Sequence, residues 1–139
     1  MKKPKLIIKR SSEWNNKLRD YGIYIDDKKI GTIANGETKE FDLDSGTYKI
    51  NGKIDWCKSP KINFEITEND SKKIEISGYK YGRLISIISA VLALIYFLVF
   101  YVFDKQLNFL ILFVAIGLIY PLYFLTFGKN QYLRIRELK

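Results

Sequence analysis

LISIISAVLALIYFLVFYVF (84–103) and LNFLILFVAIGLIYPLYFLTF (107–127) are two uncharged stretches separated only by Asp104, Lys105 and Gln106. At 1.5 Å per residue, each spans about 30 Å as a helix, the thickness of a bilayer's hydrocarbon core. A core helix of a soluble protein would keep a polar face along its length. Neither stretch has one, and Asn108, at the entrance of the second, is the only strongly polar residue there. A chain of 139 residues has no further layer in which to bury two helices that are apolar all round. The sequence predicts a two-helix transmembrane hairpin with 104–106 as its tight external turn.

Basic residues set the expected orientation. Lys80 and Arg83 precede the first span, whereas Lys129, Arg134, Arg136 and Lys139 follow the second. The turn carries a single Lys. The positive-inside bias then places both ends of the chain in the cytoplasm, in the inner (plasma) membrane of a bacterium-like cell. Lys80, Arg83, Lys129, Arg134 and Arg136 are the candidate membrane-interface residues. Ser86, Ala90 and Ala93 recur at i, i+4 and i+7, with Ser89 beside them, a small-residue stripe along which a helix can approach closely. Together with Gly117 and Pro121 they are the candidate helix-packing positions, and Pro121 is expected to kink its helix. No ionisable group lies mid-span, which argues against a proton relay or ion path.

The rest of the chain has a different composition. Residues 1–83 hold 18 Lys+Arg against 13 Asp+Glu, and the whole chain carries +8. Histidine is absent and Cys57 is the single cysteine. No Ser–His–Asp or Cys–His pair can form, no His/Cys zinc site is available, and no internal disulfide is possible. No enzyme activity, cofactor or small-molecule substrate is expected. The start, MKKPKLIIKRSSE, has only Leu6, Ile7 and Ile8 as its apolar core. That is shorter than a signal-peptide h-region, so the first half is expected to stay in the cytoplasm.

Residues 5–78 alternate apolar and polar residues between closely spaced turn signals, predicting about seven short strands in an all-β sandwich. The strands are expected at 5–10, 21–26, 29–34, 37–43, 47–56, 61–67 and 71–77. Asp27–Lys28 and Asn35–Gly36 form turns, and Gly52 marks a bulge. The expected organisation is a β domain over 1–79, a linker over 80–83, helices over 84–103 and 107–127, and a basic tail over 128–139. In that tail Leu133 and Ile135 alternate with Arg134 and Arg136, which suits either an extra edge strand or an interfacial segment.

The turn residues carry a resemblance. Tyr24, Ile25, Asp26, Lys28, Lys29 and Gly31, followed by Gly46, Thr47, Tyr48 and Ile50, resemble the PEGA-type repeat, a small immunoglobulin-like sandwich of the carboxypeptidase-regulatory kind. Asp27 stands where that pattern has Gly, and Ser45 where it has Pro. The resemblance spans roughly residues 20–55 and implies a non-catalytic domain, often membrane-anchored.

Few residues point to chemistry. Asp26 and Asp27 read as a hairpin turn, since neighbouring carboxylates in a strand face opposite sides. DLDSG (42–46) lacks the Gly and Glu a calcium loop requires downstream. Cys57 reads as a buried thiol, the alternative being one activated by Lys53, Lys58 and Lys61. Trp14, flanked by Arg10, Lys17 and Arg19, is the candidate partner-binding residue; the competing reading makes it a plug in the open end of the sandwich. Scattered lysines without a base-stacking motif argue against nucleic acid. Anionic lipids of the inner leaflet are the expected partner of the basic groups, including Lys2, Lys3 and Lys5, alongside an unknown protein or a second copy. The functional expectation is a docking module at the inner membrane face, such as an accessory subunit of a membrane complex. The alternative is a homo-oligomeric, membrane-perturbing or pore-forming stress or defence effector acting through the hairpin.

Overall fold

In β1 (Lys5–Arg10) Leu6, Ile8 and Arg10 are buried while Lys5 and Lys9 are exposed, the two-residue period of a strand with one face in a core. The computed structural model describes residues 2–139. The strands β2 (Tyr21–Ile25), β3 (Lys28–Ile33), β4 (Thr38–Asp42), β5 (Gly46–Ile54), β6 (Cys57–Lys58), β7 (Ile62–Ile66) and β8 (Ser71–Ser77) follow, with the same alternation in β4, β7 and β8, whereas β2 is buried along nearly its whole length. Helices α1 (Gly82–Phe103) and α2 (Asn108–Leu125) follow, then a short 3-10 turn (Lys129–Gln131) and a last strand, β9 (Arg134–Leu138).

Among the described residues, nine strands form two sheets. One runs β4-β1-β8-β9; the other runs β3-β2-β5, with β7 and β6 both along the far side of β5. All pairings are antiparallel except β1 with β8. Between the sheets Leu6, Ile8, Ile23, Ile33, Ile50 and Ile74 are among the side chains fully removed from solvent. Each such side chain stabilises the fold by about 1.5–3 kcal/mol relative to exposure.

The strand count exceeds the expected seven for two reasons. Asp55 adopts a left-handed φ of 50°, so the strand expected over 47–56 ends at Ile54, the chain turns back at Asp55–Trp56, and Cys57–Lys58 pair with it as an added strand, β6. The tail adds the other strand: β9 pairs with β8 from Ser77↔Arg134 to Lys73↔Leu138, which resolves the open choice in favour of an edge strand. Two local expectations change. The β2–β3 turn is Asp26–Asp27, both at positive φ, one residue earlier than expected. Gly52 lies in unbroken register with Ile23 and marks no bulge. A Cβ there would stand 3.3 Å from Ile76 and 3.4 Å from Leu133, so Gly52 gives the opposite sheet room to approach.

The hairpin is inserted between the neighbouring strands β8 and β9. Its helices are long and apolar enough to cross a membrane, and their apolar surfaces are left almost wholly uncovered by the rest of the chain. They pack on each other where Gly117 meets Ser89, a side chain so close that a Cβ at 117 would overlap it. The expected small-residue stripe is divided by this geometry. Ala93 is half-buried, whereas Ser86 and Ala90 are exposed on the far face of α1. Within the stripe the seam therefore falls at Ser89, because it is Ser89 that meets the buried Gly117. Helix α2 continues through Pro121.

Candidate functional site at the junction of sandwich and hairpin

Strand β8 leads through Gly78–Tyr81 into α1, and β1 lies parallel to it with Arg10 opposite Ile76. That register fixes which end of the sandwich meets the hairpin. Loop 11–20, the Asp55–Trp56 turn and the segment after α2 all gather there. Lys2, Lys3 and Lys5 lie at the opposite end, beside Asp42 and Asn69–Ser71. The parallel pairing of Lys5 with Ser71 carries them away from the helices, against the expectation that they face lipid. Lys5 is instead paired with Glu40 at 2.7 Å.

At the junction an aromatic stack joins the three segments. Tyr79 lies 5.0 Å from Phe124 and 5.2 Å from Tyr132, ring centre to ring centre, and 5.9 Å from Tyr120. The Tyr120 hydroxyl donates to the Lys80 carbonyl, and Trp56 Nε1 donates to the Leu125 carbonyl at 2.9 Å. Both helix ends are thereby fastened to the sandwich, so the 80–83 segment is not a free linker.

Behind the stack lies a buried polar network. The Tyr132 hydroxyl donates to Asn16 Oδ1 at 2.9 Å, Asn16 Nδ2 donates to the Tyr21 hydroxyl at 3.0 Å, and that hydroxyl donates to Glu13 at 2.7 Å. Glu13 also accepts from the Gly78 N–H. Arg10 is fully buried, its guanidinium 3.6 Å from the centre of the Tyr21 ring and donating to the carbonyls of Asn16, Arg19 and Ile33. Burial and the Glu13 carboxylate push the Tyr21 hydroxyl well above its ordinary pKa, and burial raises Tyr79 and Tyr132. These phenols stay protonated, Tyr21 and Tyr132 as donors and Tyr79 accepting from Asn15 Nδ2 at 2.9 Å, which suits a fastening and not a proton exchanger. Loop 11–20 is thus held from three sides.

Around the network runs an exposed collar of Trp14, Leu18, Trp56, Tyr81 and Phe127, with Lys80, Arg83 and Lys129 among them. Trp14 is 74% exposed, so it does not plug the sandwich. It stands beside the outer face of α1, with Lys17 over its ring. Arg134 joins the junction, its Nε donating to the Gly78 carbonyl at 2.9 Å. Arg136 does not: it pairs with Glu75 further along β9. Cys57 is buried with its thiol toward the Phe124 carbonyl, and burial raises its pKa, as an unreactive thiol requires. Asp26 accepts from the Lys49 N–H and Asp27 pairs with Lys61.

Arg10, Asn16 and Tyr132 went unrecognised in the sequence as site residues. One signal was available, since Arg10 continues the inward series Leu6, Ile8 and so falls at a core position. Nothing local marks Asn16 or Tyr132, which meet across 116 residues. No protein-family model matches the chain, and neither a curated protein nor a solved structure is similar to it.

Proposed function

We propose that this protein is a non-enzymatic, two-span membrane protein. Its sandwich is held rigidly against the cytoplasmic face of the inner membrane and docks another protein there. The observation that carries this reading is the insertion of the hairpin between β8 and β9, strands paired side by side in one sheet. Helices that leave and re-enter one sheet, clamped by Tyr79, Phe124 and Tyr132, hold the domain in a fixed attitude. The uncovered apolar helices need lipid as their solvent. Lys80, Arg83, Lys129 and Arg134 at the sandwich end, against Lys105 alone at the far turn, favour that end facing the cytoplasm. The excess of lysine on the outer faces fits an acidic partner surface.

The test uses photo-crosslinking side chains at the exposed positions Glu65 and Glu137 and at Lys105, in native membranes. Adducts to one other protein from 65 and 137, with none from 105, are expected. Adducts only between copies, together with dye leakage from liposomes, would replace this reading with the pore-forming effector. A full-length chain that stays soluble without detergent would overturn both. Against the effector, the hairpin offers no polar face with which to line a pore.

A further inference from the structure

A cleft of about 460 Å³ opens between loop 12–16 and the start of α1. Its walls change character along its length. Arg83, Arg134, Asn15 and Glu13 line the end near the sandwich, whereas Leu84 and Ile87 line the end on the helix. A second furrow of about 310 Å³ shares Trp14, Asn15, Arg83 and Ile87 with it and continues down α1 over Ser86 and Ala90. From this gradient we propose that the joined groove seats one phospholipid with a net negative headgroup. The proposal deepens the membrane reading above and rests on it.

Charge selects the headgroup. The six ion pairs among the described residues include neither Arg83 nor Arg134. Both oxygens of Glu13, the carboxylate in the cleft, are already occupied by the Tyr21 hydroxyl and the Gly78 N–H. Two cations without carboxylate partners face a phosphodiester there, and Arg is suited to phosphate by its planar fork of donors. Arg83 also sits in the first turn of α1, where no acidic residue is present and no side chain caps the backbone. A cation there is disfavoured by the helix dipole, and a neighbouring phosphate offsets that.

Shape and depth select a lipid over a free anion. Below Arg83 the groove offers Ile87, Ala90 and Trp14, which match an acyl chain and give a soluble phosphate nothing to bind. Ser86 and Ala90 are small, and their outward position leaves the channel that larger side chains would fill. From Arg83 to Ala90 the helix descends about 10 Å, the depth over which a lipid passes from phosphate to hydrocarbon.

Trp14 and Trp56 are the two tryptophans, so Trp56→Phe leaves Trp14 as the reporter in the full-length chain. Vesicles of phosphatidylcholine would receive either phosphatidylglycerol or phosphatidylcholine with brominated acyl chains, which quench tryptophan on contact. Trp14 is expected to be quenched by the anionic lipid at several-fold lower mole fraction than by the zwitterionic one. Arg83→Gln with Arg134→Gln should erase that preference, and Ala90→Leu should weaken quenching by both lipids. Equal quenching by the two headgroups in a chain that floats with the vesicles would overturn the lipid site and leave the membrane reading intact. A chain left behind on flotation would overturn both. Inorganic phosphate at millimolar concentration that abolishes the preference would assign the cations to a free anion. Loss of quenching as protein density rises would assign the furrow to a second copy, and either result overturns the proposal.

Discussion

Arg10 shows how one residue can define the end of a small domain. It occupies an inward strand position, fully buried, with three backbone carbonyls and the Tyr21 ring as its partners. Those carbonyls belong to loop 11–20 and to β3, so a single guanidinium closes the sandwich where loops would otherwise expose unpaired backbone. A buried polar group left without a partner costs about 1–3 kcal/mol. Arg10→Met is therefore expected to destabilise the protein by about 3 kcal/mol or more in chemical unfolding followed in detergent micelles. Arg10→Lys should recover only part of this, because one ammonium cannot span three carbonyls in a fixed plane. An Arg10→Met protein as stable as the wild type would show that water replaces the guanidinium.

The two helices meet through a contact that length and hydropathy do not reveal. Gly117 is buried against Ser89, and the closeness of the two backbones maximises their dispersion contact. Gly117→Val should push the helices apart, at a cost of about 1–3 kcal/mol, as for overpacked cores. Thermal denaturation in detergent would show it. Ser89→Gly in the same chain should restore most of the loss, whereas Ser86→Gly should not, since Ser86 lies on the exposed face. Equal rescue by both would place the seam elsewhere. The distinction separates neighbouring small residues that periodicity groups together: Ser86, Ser89, Ala90 and Ala93 all suit a stripe, and only the partner helix decides which of them touches it.

As a whole molecule, the chain is a sandwich interrupted by its own apolar helical hairpin. Strand β9 lies 57 residues beyond the end of β8 in sequence yet pairs with it, and Leu133, at its entrance, is fully buried under Gly52. Replacing residues 80–129 by a short glycine-serine turn should give a soluble, cooperatively unfolding β domain, because Ser77 and Arg134 are already paired. The same hairpin-free domain ended after Gln131 should lose that edge, expose Ile74 and Ile76, and aggregate. Circular dichroism and gel filtration in buffer without detergent check both outcomes. A soluble truncated domain would mean that β9 is dispensable.

Much of this architecture is written locally. Two apolar runs the length of a bilayer, alternation in Leu6–Ile8 and Ile74–Ile76, and turn residues such as Asn35–Gly36 each declare their element without reference to distant residues, because hydrophobic period and backbone preference act over a few positions. What the tertiary structure alone decided depends on pairings between remote segments. The tail became a strand only because β8 offered it an edge, and the N-terminal lysines moved away from the hairpin only because β1 runs parallel to β8. Trp14 reached the face of α1, and Asn16 met Tyr132 across 116 residues, through the closing of loop 11–20 on segments remote in sequence. Contacts of that kind are set by register and packing between sheets, and a one-dimensional pattern of apolar and polar residues does not encode which remote partner will fill a given space.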